Sequence, residues 1–177
     1  MKKNLAAHHP VKYLILSALF MALGLVLPFI TGGIPLIGNM LLPMHLPVLL
    51  CGFVCGAGWG PVVGFILPLL RSALFSMPPM WIAVSMAFEL ATYGFVTGTL
   101  KKWLPQNFAG TYIALIAAML AGRLVWGFVR FIMTLWGTEF SFALFLSGAF
   151  LTALPGIVAQ LLLIPLLVAV FRKARLI

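Results

Sequence analysis

The chain has 177 residues, of which 64% are hydrophobic and 7% charged, with a mean hydropathy of +1.20. No water-soluble core of this size needs such apolarity: the composition is that of an integral membrane protein, long enough for about six helices of roughly 20 residues and too short for an added soluble domain. A net charge of +9 would point to nucleic acid in a soluble protein. Here the basic residues sit mostly at the ends of apolar runs, where membrane orientation requires them, and nucleic acid is set aside as a partner.

The first apolar run follows "MKKNLAAHHPVKY". It is longer than a signal-peptide core, lacks a small-residue cleavage site and is followed by further membrane segments, so it reads as a retained helix over about residues 11–28. The segment "FITGGIPLIGNMLLPMHLP" comes next, too broken by Gly and Pro for a simple helix and too apolar for a free loop. It is expected to fold back over the outer side. A second helix over about residues 45–57 is short for a full span, and is expected to be tilted or covered by that loop. It carries Cys51 and Cys55 one turn apart, which read as buried thiols: a disulfide within one helix is geometrically poor, and no Cys/His cluster supports a metal.

The turn "GWGP" opens a third helix that reaches about residue 75, and "SMPPM" makes a tight connection. A fourth helix is expected over about residues 81–100, "KKWLPQN" as a loop, a fifth helix over about 111–135, "WGTEF" as a turn, and a sixth helix over about 141–171. Gly52, Gly56, Gly60 and Gly64 form a ladder at four-residue spacing, and Gly94 and Gly98 form another. Close packing within the fold and a dimer interface are the two readings of such ladders, the first favoured.

With six spans, Lys2, Lys3, Lys12, Lys101, Lys102, Arg172, Lys173 and Arg175 fall on one side, and the opposite loops hold no Lys or Arg. Both termini are therefore expected to be cytoplasmic. Arg71, Arg123 and Arg130 are left over, with Glu89 and Glu139 as the only acids in the chain.

Glu89 and Arg123 fall near the middles of the fourth and fifth helices, so both should lie near the bilayer midplane and pair if those helices touch. Arg130 is about 10 Å further outward at 1.5 Å per residue, and Arg71 lies near the outer end of the third helix. Glu139, on the outer turn, is available to offset one of these cations or to be solvated. Arg123, Trp126 and Arg130 follow i, i+3, i+7 spacing and share one helix face, which implies a polar, aromatic-lined cavity open to the outside. The competing reading makes the arginines structural, bonded to carbonyls or snorkelling to headgroups. His45, between Pro43 and Pro47, is read equally as a ligand donor or a loop brace. Asn39, in the loop after the first helix, and Trp81, near the outer side, complete the candidate substrate-binding set of Asn39, His45, Arg71, Trp81, Glu89, Arg123, Trp126, Arg130 and Glu139.

An enzyme is disfavoured: there is no HExxH, no GxSxG elbow, no usable pair of carboxylates and no phosphate-cradling glycine loop. No catalytic residue, metal or cofactor is expected. An arginine-lined outward cavity without an acceptor-rich filter makes a poor channel. A solute-binding membrane protein that needs an energising partner fits better, with a stand-alone secondary transporter or channel-like protein for a small organic anion as the alternative.

The six helices in under 200 residues, "ALFMA" with Ala18 and Ala22, the "GNMLLPMHLPVLLCGFVCG" loop and helix, "LAGRLVWG" and "FLTALPGIVAQLLLIPLL" together resemble the substrate-binding S component of energy-coupling factor (ECF) transporters. The resemblance covers nearly the whole chain. It implies a single six-span substrate-binding domain over residues 1–177 in a bacterial cell membrane, which joins a transmembrane coupling protein and two ATPase subunits that hydrolyse the ATP. It also implies that the small-residue face of the first helix meets the coupling protein, and that the loop after it encloses a vitamin together with helices four to six. The small side chains of Ala18 and Ala22 suit close approach by a partner helix, with packing inside the fold as the other reading. Excess intramembrane positive charge favours an anionic ligand: pantothenate is the first choice, with folate, lipoate, another anion or a large corrinoid as the alternatives.

Overall fold

The computed structural model describes residues 10–30, 40–136, 141 and 146–174. These residues form six α-helices: α1 (Pro10–Ile30), α2 (His45–Cys55), α3 (Trp59–Phe75), α4 (Met80–Trp103), α5 (Phe108–Met133) and α6 (Leu154–Lys173). A 3-10 turn, Thr134–Trp136, extends α5, and a π-helical turn, Ser147–Leu151, precedes α6. No strand occurs among the described residues. By length and composition α1, α4, α5 and α6 can each cross a membrane, whereas α2 and α3, of 11 and 17 residues, are shorter apolar helices.

The centre of the bundle is α4, which packs on α2, α3 and α5; α2 in turn touches α1, α3 and α6. Every residue of α2 except Leu46 is buried. A helix apolar on all sides is stable only when enclosed, and the helices around α2 supply that enclosure. The sequence predicts a tilted helix or one covered by the loop after the first helix; residues 31–39 of that loop lie outside the described residues. Both cysteines are free and buried, as expected, and the Cys51 thiol donates to Ser17 Oγ at 3.9 Å.

The glycine ladders close α2 and α3 onto α4. A Cβ on Gly60 would sit 2.7 Å from the Gly94 carbonyl oxygen, one on Gly64 would collide with the Leu90 carbonyl, and one on Gly98 with the Ala57 backbone. Real Cβ atoms do not make such contacts, so the backbones approach because the side chains are missing. These are the intramolecular contacts that the sequence reading favoured.

Three boundaries differ from those read in the sequence. The expected "KKWLPQN" loop is shorter, because Lys101, Lys102 and Trp103 form the last turn of α4. Lysines are good helix formers and are favoured at a helix C-terminus by the macrodipole; the helix stops where Leu104, the residue before Pro105, turns extended. The fifth helix begins at Phe108, three residues early, because the Asn107 side chain accepts from the Gly110 N–H at 2.8 Å and caps it. The expected sixth helix is interrupted: a π-helical turn at Ser147–Leu151 and a turn at Thr152 and Ala153 come before α6, which has Pro155 in its first turn. There Gly156 presses on the backbone of Met40 and Leu41, which an added Cβ would meet at 2.6–2.8 Å.

Along α1 the buried residues Ser17, Phe20, Gly24 and Pro28 recur at helical spacing and face the bundle. Ala18 and Ala22 are exposed on another face, among exposed Leu14, Ile15, Leu19 and Val26.

Candidate functional site

At one end of the bundle a cavity of about 490 Å³ opens between the end of α1, the start of α2, the end of α3, the residues before and at the start of α4, the second half of α5 and residues 148–152. That volume lies within the usual range for small-molecule sites. His45, Arg71, Trp81, Glu89, Arg123, Trp126 and Arg130 all line it. Asn39 and Glu139 lie outside the described residues. Apolar side chains make most of the wall, among them Met44, Met77, Pro78, Ile82 and Met86.

Glu89 sits on the central helix and is 1% exposed. Arg123 Nη1 lies 2.9 Å from its Oε1, the Tyr93 hydroxyl donates to the same oxygen at 2.9 Å, and His45 Nε2 stands 3.6 Å away. This carboxylate is thus paired and hydrogen-bonded, as a buried carboxylate away from water requires. The His45 ring also leans on Tyr93, with centroids 5.5 Å apart. Packing of α4 against α5 brings Glu89 and Arg123 together, and Gly122 helps, because a side chain there would strike the Tyr93 ring.

The other two arginines are held differently. Arg71 donates through Nη1 to the Leu25 carbonyl at 2.5 Å, and its guanidinium lies 4.9 Å from the Phe29 ring centre and 5.3 Å from that of Phe75. It fastens α1 to α3 and still borders the cavity. Arg130 has its guanidinium carbon 4.5 Å from the Trp81 ring centre and 5.9 Å from that of Trp126, a cation–π arrangement across the top of α4 and α5. Its Nη1 is buried with no hydrogen-bond partner among the described residues.

The same is true of both His45 nitrogens and of Arg123 Nη2. Four buried nitrogen atoms lining one cavity are therefore unsatisfied. A buried donor without a partner costs about 1–3 kcal/mol, more when charged. A ligand or water that offers acceptors to the two guanidinium nitrogens, and a hydrogen bond to the His45 ring, removes that cost. Hydrogen-bond acceptors beside an apolar body are the chemistry this cavity can hold.

Sequence reasoning missed three parts of the site. Tyr93 stands four residues after Glu89, on the same helix face, so its spacing was a usable signal. Ser85, fully buried at the cavity wall, turns its hydroxyl to the Ile82 carbonyl at 2.9 Å. Pro28 and the segment from Met77 to Pro79 line the mouth, and only the fold brings them together.

A family model described as the substrate-specific component of ECF transporters matches residues 12–168. No curated protein and no solved structure matches the chain. The match spans α1 through most of α6, and with the lined cavity and the apolar helices it identifies the chain as a multi-pass membrane protein of the ECF substrate-specific component family, a substrate-binding part of a transporter and not an enzyme.

Proposed function

We propose that the chain captures a small, water-soluble organic anion from outside the cell and delivers it through an ECF module, the solute being a vitamin with pantothenate as the first candidate. The observation that carries the anionic reading is Arg130: a guanidinium stacked on Trp81 at 4.5 Å, with Nη1 buried and without a hydrogen-bond partner among the described residues, at the rim of a cavity of about 490 Å³. A carboxylate supplies two acceptors to a planar guanidinium, a stronger and more directional bond than any neutral acceptor makes. Arg123 carries less of the ligand's charge, because Glu89 already balances it. Arg71 lends its field from the same wall while it braces α1. His45 and Arg123 Nη2 take acceptor groups deeper in the cavity, and Trp81, Trp126 and the methionines cover the ligand's apolar body.

In this reading all six helices belong to the membrane domain, with the enclosed α2 and the 17-residue α3 completing the count. Lys12, Lys101, Lys102, Arg172 and Lys173 gather at the end opposite the cavity. The positive-inside rule puts that end in the cytoplasm of a bacterial cell and the cavity mouth outside. The exposed Ala18–Ala22 face of α1 is where the coupling protein packs, bringing the two ATPase subunits that power release. The test is to compare binding with uptake: the purified chain binds pantothenate alone, while vesicles accumulate it only when the coupling protein, the ATPases and ATP are present. Uptake by the lone chain under an ion gradient would overturn the proposal.

A further inference from the structure

We infer that a second anion site, for the phosphate of an acidic glycerophospholipid, lies at the lysine-rich end of the bundle. A cavity of about 220 Å³ there is lined by Tyr13, Phe53, Val54, Lys101, Gln106 and Arg172. Five elements meet at it: the start of α1, the ends of α2, α4 and α6, and the connection before α5.

Two cations converge on this small space. Lys101 donates through Nζ to the Phe53 carbonyl at 2.6 Å and the Val54 carbonyl at 3.2 Å, the last acceptors of α2. That helix end offers only about half an elementary charge, so it offsets the ammonium in part. Arg172 donates through Nη2 to the Thr111 hydroxyl at 3.1 Å, and its Nε is buried with no hydrogen-bond partner among the described residues. A neutral hydroxyl does not balance a guanidinium. Lys12, Lys102 and Lys173 add charge of the same sign at this end.

No acidic side chain among the described residues answers them. The chain has two acids: Glu89 is bound to Arg123 at the other cavity, and Glu139, outside the described residues, follows α5 in sequence. Partly desolvated cations without a counter-charge among the described residues are costly, and an anion from outside the chain offsets that cost. The surroundings name it. Trp103 and Phe108, which end α4 and begin α5 on either side of the lining residue Gln106 in sequence, are exposed, 82% and 58% respectively. Exposed aromatic rings at helix ends mark the headgroup level of a bilayer, where phosphodiesters are the abundant anions. A basic pocket between helices at that level is a known way for a membrane protein to hold an acidic lipid. The site is independent of the substrate reading, and the orientation proposed above decides only which leaflet supplies the lipid.

The test is native mass spectrometry of the detergent-purified chain after incubation with phosphatidylglycerol, with phosphatidylcholine, or with inorganic phosphate. The wild type is expected to retain one phosphatidylglycerol and no phosphatidylcholine. Arg172→Gln should lower the retained fraction roughly 10-fold, the worth of one charge-assisted bond. Lys173→Gln removes the same charge one residue away but does not line the cavity, and should leave retention unchanged. Arg172→Lys keeps the charge, guards against misfolding as the cause, and should lose less than Arg172→Gln. Equal losses in Arg172→Gln and Lys173→Gln would reduce the site to diffuse surface charge and overturn the inference. So would retention of phosphatidylcholine, or inorganic phosphate at millimolar concentration binding alone and expelling the lipid.

Discussion

Arg123 Nη1 meets Glu89 Oε1 at 2.9 Å, and the Tyr93 hydroxyl meets the same oxygen at the same distance, so one carboxylate ties α4 to α5 at the floor of the cavity. Removing one member of a buried pair strands the other. Arg123→Ala should destabilise the protein by about 3–5 kcal/mol. A second change, Glu89→Gln, should return part of that loss, because the amide carries no charge to strand. Thermal unfolding of the two single variants and the double variant in detergent measures the coupling. Additive losses would mean that the pair contributes nothing as a pair.

The glycine contacts between α3 and α4 make a sharper packing prediction. Gly64→Ala pushes a methyl group into the Leu90 carbonyl and should cost about 1–3 kcal/mol, as overpacking usually does. Gly58, at the start of α3, has nothing within 4 Å of an added Cβ and a φ of −83°, so Gly58→Ala should be nearly neutral. Equal melting temperatures for the two variants would contradict the packing.

Much of this site was legible because charge is so scarce in the chain. With two acids and three leftover arginines, position along helices rising about 1.5 Å per residue was enough to pair Glu89 with Arg123 and to place Arg130 above them. The fate of Arg71 was not legible. Its partners, the Leu25 carbonyl and the Phe29 and Phe75 rings, come from two helices far apart in sequence, and a backbone carbonyl leaves no trace in composition. The enclosure of α2 was hidden for a related reason: in an apolar chain, hydropathy does not separate a helix that faces lipid from one that faces other helices. The break before α6 escaped because the sequence around Ser147–Leu151 is apolar enough to continue a helix, and only backbone geometry reveals the π turn.

For α1, exposure of Ala18 and Ala22 separates docking from folding. Ala18→Trp or Ala22→Trp should leave the purified chain folded and able to bind ligand, while uptake by the assembled transporter falls to background. A bulky ring on that face holds a partner helix away without disturbing the buried face of Ser17, Phe20 and Gly24. Ligand binding lost in step with uptake would mean that these alanines serve the fold.

Arg130 carries the central claim, that the cavity takes a small organic anion. Arg130→Ala should weaken binding by roughly 10- to 150-fold, the equivalent of about 1.5–3 kcal/mol for a charge-assisted, desolvated bond. Arg130→Lys should recover only part of this, since an ammonium lacks the planar fork and stacks less well on Trp81. The most direct measurement is mass spectrometry of the small molecules that co-purify with the wild type and with Arg130→Ala. A carboxylate such as pantothenate, recovered with the wild type and lost from Arg130→Ala, is the predicted result; a neutral or cationic molecule retained equally by both proteins would contradict it.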